Sequence, residues 1–290
     1  MTEHQVSTAN QSGIVLWDAG QVRKDAFDAA FLSRGLSSLL PRKEKRSMAL
    51  RKALVEWLES KTPNKGRQSK YDLNPLNSRV LGFEAVLQSK GDEKNLHAYQ
   101  FTAKVRPDDT VVATADGITL GYVMDQELTV SYQNQLNFYS ASTVGSLLVK
   151  AVLHWVGTPI KQRGSAYFLP YTFVDEYRSL AKELEASPDS ELVMHLVYTV
   201  IGNDDYTART VLSGFKNHTT ALIDEMNADL LGGTAMTKPG YENRVAFLTE
   251  QLKRVQEYQS LFGANLNDLT TAIEALKTSL QMARLNQMSV

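Results

Sequence analysis

The sequence predicts an α+β protein: an antiparallel sheet with packed helices, followed by a C-terminal antiparallel helical hairpin. Three observations predict it. Between Arg79 and Val123 apolar residues recur at every second position in short runs broken by turn-forming residues, as in strands that bury one face. On either side of that stretch they recur at spacings of three and four, the stripe of an amphipathic helix. Beyond residue 240 two such stripes flank Gly263-Ala264-Asn265, each long enough for a helix of roughly 30 Å at 1.5 Å rise per residue. The domain division this implies is 1–231 for the mixed part and 241–290 for the hairpin.

A polar, unstructured dozen residues precede Gly13–Trp17, which reads as a short strand or anchoring arm. Asp25 to Leu40 reads as a helix with Phe27, Ala30 and Phe31 on one side, stopped by Pro41, which cannot continue a helical ladder. Arg42 to Ser60 is a second helix with Leu50, Leu54, Trp57 and Leu58 on one face, and residues 61–78, rich in Lys, Asn, Pro, Gly and Ser, are a loop. Two alternating runs around Lys90-Gly91-Asp92-Glu93-Lys94 form a hairpin, and 110–115 with 118–123 form another around Asp116-Gly117, a dipeptide suited to a two-residue turn because both positions need positive φ. A four-stranded antiparallel meander results. Leu128–Tyr139 is open between strand and helix. Thr143 caps an apolar helix over Val144–Val156 that Gly157 closes. A short hairpin, 160–162 with 166–169, follows, then a helix over Phe173–Ala186. Leu192–Ile201 is apolar on both faces and reads as an inner strand. Asp204 or Asp205 caps a helix to Leu231, and 232–240 is a linker.

Composition bounds the function. The 290 residues are 43% hydrophobic and 22% charged, a globular balance with room for one large domain or two ordinary ones. No uninterrupted run of eighteen apolar residues and no signal-peptide pattern is present, so the expectation is a cytoplasmic protein with no membrane partner. With no cysteine, thiolate catalysis, disulfides and Cys-based metal sites are excluded. The net charge of −1 conceals an asymmetry: residues 1–170 carry 21 Lys and Arg against 16 Asp and Glu, and residues 171–290 carry 10 against 16. The basic residues concentrate in Arg42, Lys43, Lys45 and Arg46 and then in Lys65, Arg67 and Lys70. If one surface binds phosphate it is this one, and the plainer alternative is a solvated helix face and surface loop.

Motifs for chemistry are missing. There is no phosphate-binding Gly-rich loop, no G-x-S-x-G, and the five histidines have no metal-ligand spacing. Neither a cofactor nor a metal is expected, and no residue is assigned a catalytic role. The carboxylate pairs Asp108-Asp109 and Asp204-Asp205 stand where a turn and a helix cap are expected. Helix 144–156 followed by a hairpin with Lys161 and Arg163 near its tip has the order of the last half of a winged helix, but that helix offers only Ser146, Lys150 and His154 as a polar face. In the last helix Leu266, Leu269, Ile273, Leu276 and Leu280 form a three-four seam, suited to oligomerisation or to packing within the hairpin itself.

The strings GLSSLLPRKEKRSMALRKAL (35–54) and VLHWVGTPIKQRGSAYFLP (152–170) resemble elements of a group of uncharacterised bacterial and bacteriophage proteins. The resemblance implies a phage or mobile-element context, hence the host cytoplasm, and carries over no catalytic residue. The expected function is therefore a non-enzymatic self-assembling or partner-binding protein acting through its C-terminal helices. The alternative is nucleic-acid binding by the basic N-terminal helix and loop with Lys161 and Arg163.

Overall fold

The computed structural model describes residues 11–61, 70–76, 80–88, 98–115, 118–119, 121–160, 165–199, 205–232 and 237–288. The expectations for the first ten residues, for 62–69, for the 90–94 and Asp116-Gly117 turns, for the tip of the 160–169 hairpin, for a cap at Asp204 and for 233–236 of the linker lie outside them. In order the chain forms β1 (Ser12–Asp18), β2 (Val22–Arg23), α1 (Lys24–Leu32), α2 (Arg46–Lys61), β3 (Lys70–Pro75), β4 (Gly82–Gln88), β5 (Ala98–Val105), β6 (Val111–Ala115) and β7 (Ile118–Thr119). Next come α3 (Tyr122–Asn137), β8 (Phe138–Tyr139), α4 (Ala141–His154), β9 (Thr158–Pro159), β10 (Tyr167–Leu169), α5 (Val174–Glu185), β11 (Val193–Thr199), α6 (Asp205–Leu231), α7 (Lys238–Phe262) and α8 (Asn267–Met288). The sheets are antiparallel, so the α+β class holds. Two compact units divide the chain: residues 20–144 with 187–191, and residues 1–19, 145–186 and 192–290. The sequence-based boundary at 231–241 falls inside the second of these.

In the first unit α1 is shorter than the spacing suggests. Gly35 takes a left-handed φ of 69°, while Leu36 N–H bonds to the Phe31 carbonyl and Gly35 N–H to that of Leu32, a Schellman termination. Glycine ends the helix well before Pro41. Downstream, the meander has five strands in the order β3-β4-β5-β6-β7. Its extra member, β3, lies in the stretch that reads as a loop, and Pro75 is tolerated there because β3 is an edge strand. The registers Phe83↔Ala103, Ala85↔Phe101 and Ala103↔Ala113 place alternate residues on one face. There they are buried with Leu50, Leu54 and Leu58 of α2 and Leu128 and Tyr132 of α3. The ambiguous 128–139 segment is thus helix, and α3 starts early enough to cut β7 to two residues. What β7 leaves unpaired on β6 is bonded by α3: Val111 N–H donates to Thr129 Oγ1 and Ala113 N–H to Asp125 Oδ1, each at 2.8 Å.

In the second unit β1 sits inside a four-stranded sheet of order β11-β1-β10-β9, flanked on the β11 side by α5. Val174, Tyr177, Leu180 and Leu184 of α5 are buried, and the Tyr177 hydroxyl donates to the carbonyls of Leu16 and His195. On the other side Phe168 joins a core with Val211, Phe215 and Ile223 of α6, Leu248, Val255 and Tyr258 of α7, and the apolar stripe of α8. Phe215 and Tyr258 stack there with ring centroids 4.1 Å apart. Helices α7 and α8 turn at Gly263 (φ 59°) and run antiparallel, with Arg284 near Glu242 at 3.5 Å, as the spacing predicts.

Where α4 ends, the backbone differs from the expected glycine stop. Val156 N–H bonds to the Leu153 carbonyl and Gly157 N–H to that of Val152, which puts Val156 (φ 61°) rather than glycine at the left-handed position. Gly157 is needed one residue on: a Cβ there would lie 2.4 Å from the Val152 side chain and 2.9 Å from the Phe168 carbonyl oxygen. At its start α4 is capped by Ser140, whose hydroxyl accepts the Thr143 N–H, not by Thr143.

Candidate functional site

The residues singled out by sequence scatter. Arg42, Lys43 and Lys45 are exposed just before α2, with no carboxylate paired to them among the described residues. Arg46 is engaged: its guanidinium bonds Asp109 and donates to the Tyr132 hydroxyl at 3.2 Å. Lys70 opens β3, and Lys65, Arg67, Lys161 and Arg163 lie outside the described residues. Ser146, Lys150 and His154 form the exposed face of α4, while Val144, Leu147, Leu148, Ala151 and Val152 are buried. The seam of Leu266, Leu269, Ile273, Leu276 and Leu280 is buried against α6 and α7 of the same chain. A partner reaching α8 would meet its other faces.

The backbone places a different feature at the surface. Leu192–Ile201 reads as an inner strand, but β11 is the outermost strand of its sheet. Its largely apolar pattern misleads because an inner strand and an unprotected edge strand read alike when neither carries Lys, Arg, Asp or Glu. In an antiparallel ladder successive residues direct their N–H and C=O groups to opposite sides. Met194 stands opposite Trp17 in the register, yet its N–H donates to Glu185 Oε1 at 2.6 Å. Met194, Leu196 and Tyr198 therefore point their backbone groups away from β1. Glu185 occupies the first outward N–H; among the described residues nothing bonds to those of Leu196 and Tyr198.

The side chains on this strand leave it accessible. Val193, Val197 and Tyr198 are 47%, 56% and 39% exposed, large values for apolar residues in a sheet. Arg178 of α5 lies over the Tyr198 ring, 5.4 Å from its centroid, and His195 Nε2 lies 3.4 Å from Asp18 Oδ2. No Lys, Pro or carboxylate stands on β11 itself, although natural edge strands are commonly blunted by such residues. At the opposite edge β9 has two residues, one of them Pro159. Helix α6 lies against it, so that a Cβ on Gly214 would be 2.5 Å from the Pro159 carbonyl oxygen. Among the described residues one edge is closed and the other open.

A buried polar cluster in the same unit has a structural explanation. Arg254 is buried, and its guanidinium donates to the Gly157 carbonyl while Tyr258 donates to that of Val156. Both carbonyls stand just past the C-terminal end of α4, where the helix dipole favours positive charge. Burial lowers the Arg254 pKa from its usual value, and burial followed by the charge of Arg254 lowers that of His218. Among the described residues no group of three or more His, Asp or Glu is placed to hold a metal ion, and no helix is long and apolar enough to cross a membrane.

A family-level sequence model matches residues 15–289. The chain belongs to DUF6744, a family of unknown function. The DUF6744 match runs from β1 to the last turn of α8 and so takes in both units, in agreement with the resemblance to uncharacterised proteins. No curated protein and no solved structure matches the chain.

Proposed function

We propose that this DUF6744 chain is a non-enzymatic partner-binding protein whose working surface is the open edge of the second unit's sheet. The observation that carries the reading is the pair of outward N–H groups at Leu196 and Tyr198, unbonded among the described residues, on a strand without Lys, Arg, Asp or Glu and with Val193 and Val197 exposed. Such an edge binds an extended segment by backbone hydrogen bonds, with alternate side chains supplying selectivity. This moves the partner-binding role from the C-terminal seam to β11, and the phage or mobile-element setting stays part of the proposal on the strength of the two resembling strings. Amide hydrogen exchange on dilute protein tests it. Leu196 and Tyr198 should exchange far faster than Val197, whose N–H points to β1 and is held in the ladder. Equal, strong protection of all three in the monomer would refute an open edge.

A second reading, nucleic-acid binding, is favoured by Arg42, Lys43 and Lys45 standing exposed before the N-terminus of α2, a helix with no acidic residue in its first turn. Positive side chains there add to the positive helix end. A labelled oligonucleotide should bind with affinity that falls steeply with salt, and changing all three residues to Ala should reduce that slope. Salt-independent binding, or none, refutes it.

A further inference from the structure

We infer that the strand added to β11 is β11 of a second copy, paired antiparallel about a two-fold axis through Val197. The inference rests on the open-edge reading above and names its occupant.

Three features select a second copy. First, the free groups define the register. With Met194 N–H held by Glu185, the outward donors left on the described strand are Leu196 and Tyr198. Antiparallel pairing requires an outward residue to face an outward residue. The two-fold through Val197 sets Leu196 opposite Tyr198 of the other copy, and Tyr198 opposite its Leu196, so that the outward N–H and C=O groups of both residues are paired on both strands. A two-fold through Leu196 would instead need Met194 N–H, which is occupied. Second, a two-fold brings the residues at the axis close to their own copies, so a charge at Val197 would face a like charge. Val193–Thr199 contains no Lys, Arg, Asp or Glu, and Val197 at the axis is aliphatic. The resulting cross-strand pairs are Val197 with Val197, His195 with Thr199 and Leu196 with Tyr198, and aliphatic, β-branched and aromatic pairs of this kind stabilise sheets. Third, the assembly closes. The far edge of each sheet is the two-residue β9, ended by Pro159 and covered by α6. Joining two β11 edges gives one eight-stranded sheet whose outer edges, among the described residues, are the two short β9 strands, and an isologous contact does not propagate.

One strand pair is a small interface, so the dimer should be weak and concentration-dependent. Light scattering and sedimentation across roughly 1 µM to 1 mM should show the mass double from the 32.3 kDa of one chain. Protection of the Leu196 and Tyr198 amides should rise over the same range. Val197 is more than half exposed, so V197K and V197E should each fold, with unchanged circular dichroism, and each should remain monomeric. Mixed in equal amounts they should form a heterodimer, since opposite charges then meet at the two-fold, and this association should weaken in salt. A mass of one chain at every concentration overturns the second copy; protection of the same amides by an added extended apolar peptide would then leave the open-edge reading standing. A dimer that survives V197K, or fails to return on mixing, overturns the two-fold through Val197. Amides already protected in the monomer overturn both readings.

Discussion

Leu276→Ala separates an internal seam from an intermolecular one. Leu276 is buried in α8 between Ile273 and Leu280, in a core built with Val211 and Phe215 of α6 and Val255 and Tyr258 of α7. Truncation to Ala removes the equivalent of three methylenes, about 2.4 kcal/mol at roughly 0.8 kcal/mol each. The space left behind adds to this, because helices held by stacked aromatics such as Phe215 and Tyr258 collapse only partly into it. The expected loss is about 3–4 kcal/mol, within the range of measured Leu→Ala changes. For a unit of this size that lowers Tm by roughly 6–16 °C. Urea denaturation at 25 °C followed by far-ultraviolet circular dichroism, at a low protein concentration and at ten times that value, is the assay. The loss should be the same at both concentrations, because the cavity forms inside one chain. A loss under about 1 kcal/mol would fall outside the range for buried leucine, and a loss that changes with concentration would mean that the seam joins chains; either refutes the reasoning.

Other perturbations probe local features. Gly35→Ala places a Cβ in open space but at a φ of 69°, so the cost is the left-handed backbone alone, about 1 kcal/mol, read as a lower urea midpoint with unchanged slope. Asp125→Ala orphans the Ala113 N–H and should cost about 1–2 kcal/mol, whereas Asp125→Asn, which keeps an acceptor oxygen, should cost much less; equal losses would show that the bond does not matter. Gly214→Ala drives a methyl against the Pro159 carbonyl and should destabilise by about 1–3 kcal/mol, measured in the same way. His218 has a pKa lowered by burial and by Arg254, so below about pH 6.5 the unfolded chain takes up a proton that the folded chain resists. Stability should therefore fall as pH drops below that value, and His218→Gln should flatten this part of the profile; an unchanged slope would remove His218 as the cause.

Much of the fold is legible along the chain because its signals are local. The alternation of Phe83, Ala85, Phe101 and Ala103 identifies the meander whatever packs on it, and the three-four spacing from Leu266 to Leu280 identifies α8 and its buried face. The absence of cysteine excludes thiolate chemistry without reference to any structure. Helix ends are less legible where a competing signal acts: Gly35 stops α1 before Pro41 has any role, and Val156 occupies a left-handed position that residue type alone assigns to glycine. The basic residues before α2 could be named, but not that Arg46 is held by Asp109 and Tyr132, since those partners lie 63 and 86 residues away.

The sequence by itself determined the class of the fold, four of the five strands of the meander and the antiparallel pairing of the last two helices, because side-chain period and turn residues act over a few positions. Tertiary structure alone decided where those elements stand. The run of apolar residues at 192–201 specifies a strand with two apolar faces but carries no record of how many neighbours it has, and only the order β11-β1-β10-β9 makes it an edge. The leucine seam likewise specifies that α8 must be covered, while the return of α6 and α7 onto it decides that the cover is the chain's own. Burial and ladder hydrogen bonds are satisfied by whichever surface arrives, and which surface arrives is a property of the whole fold.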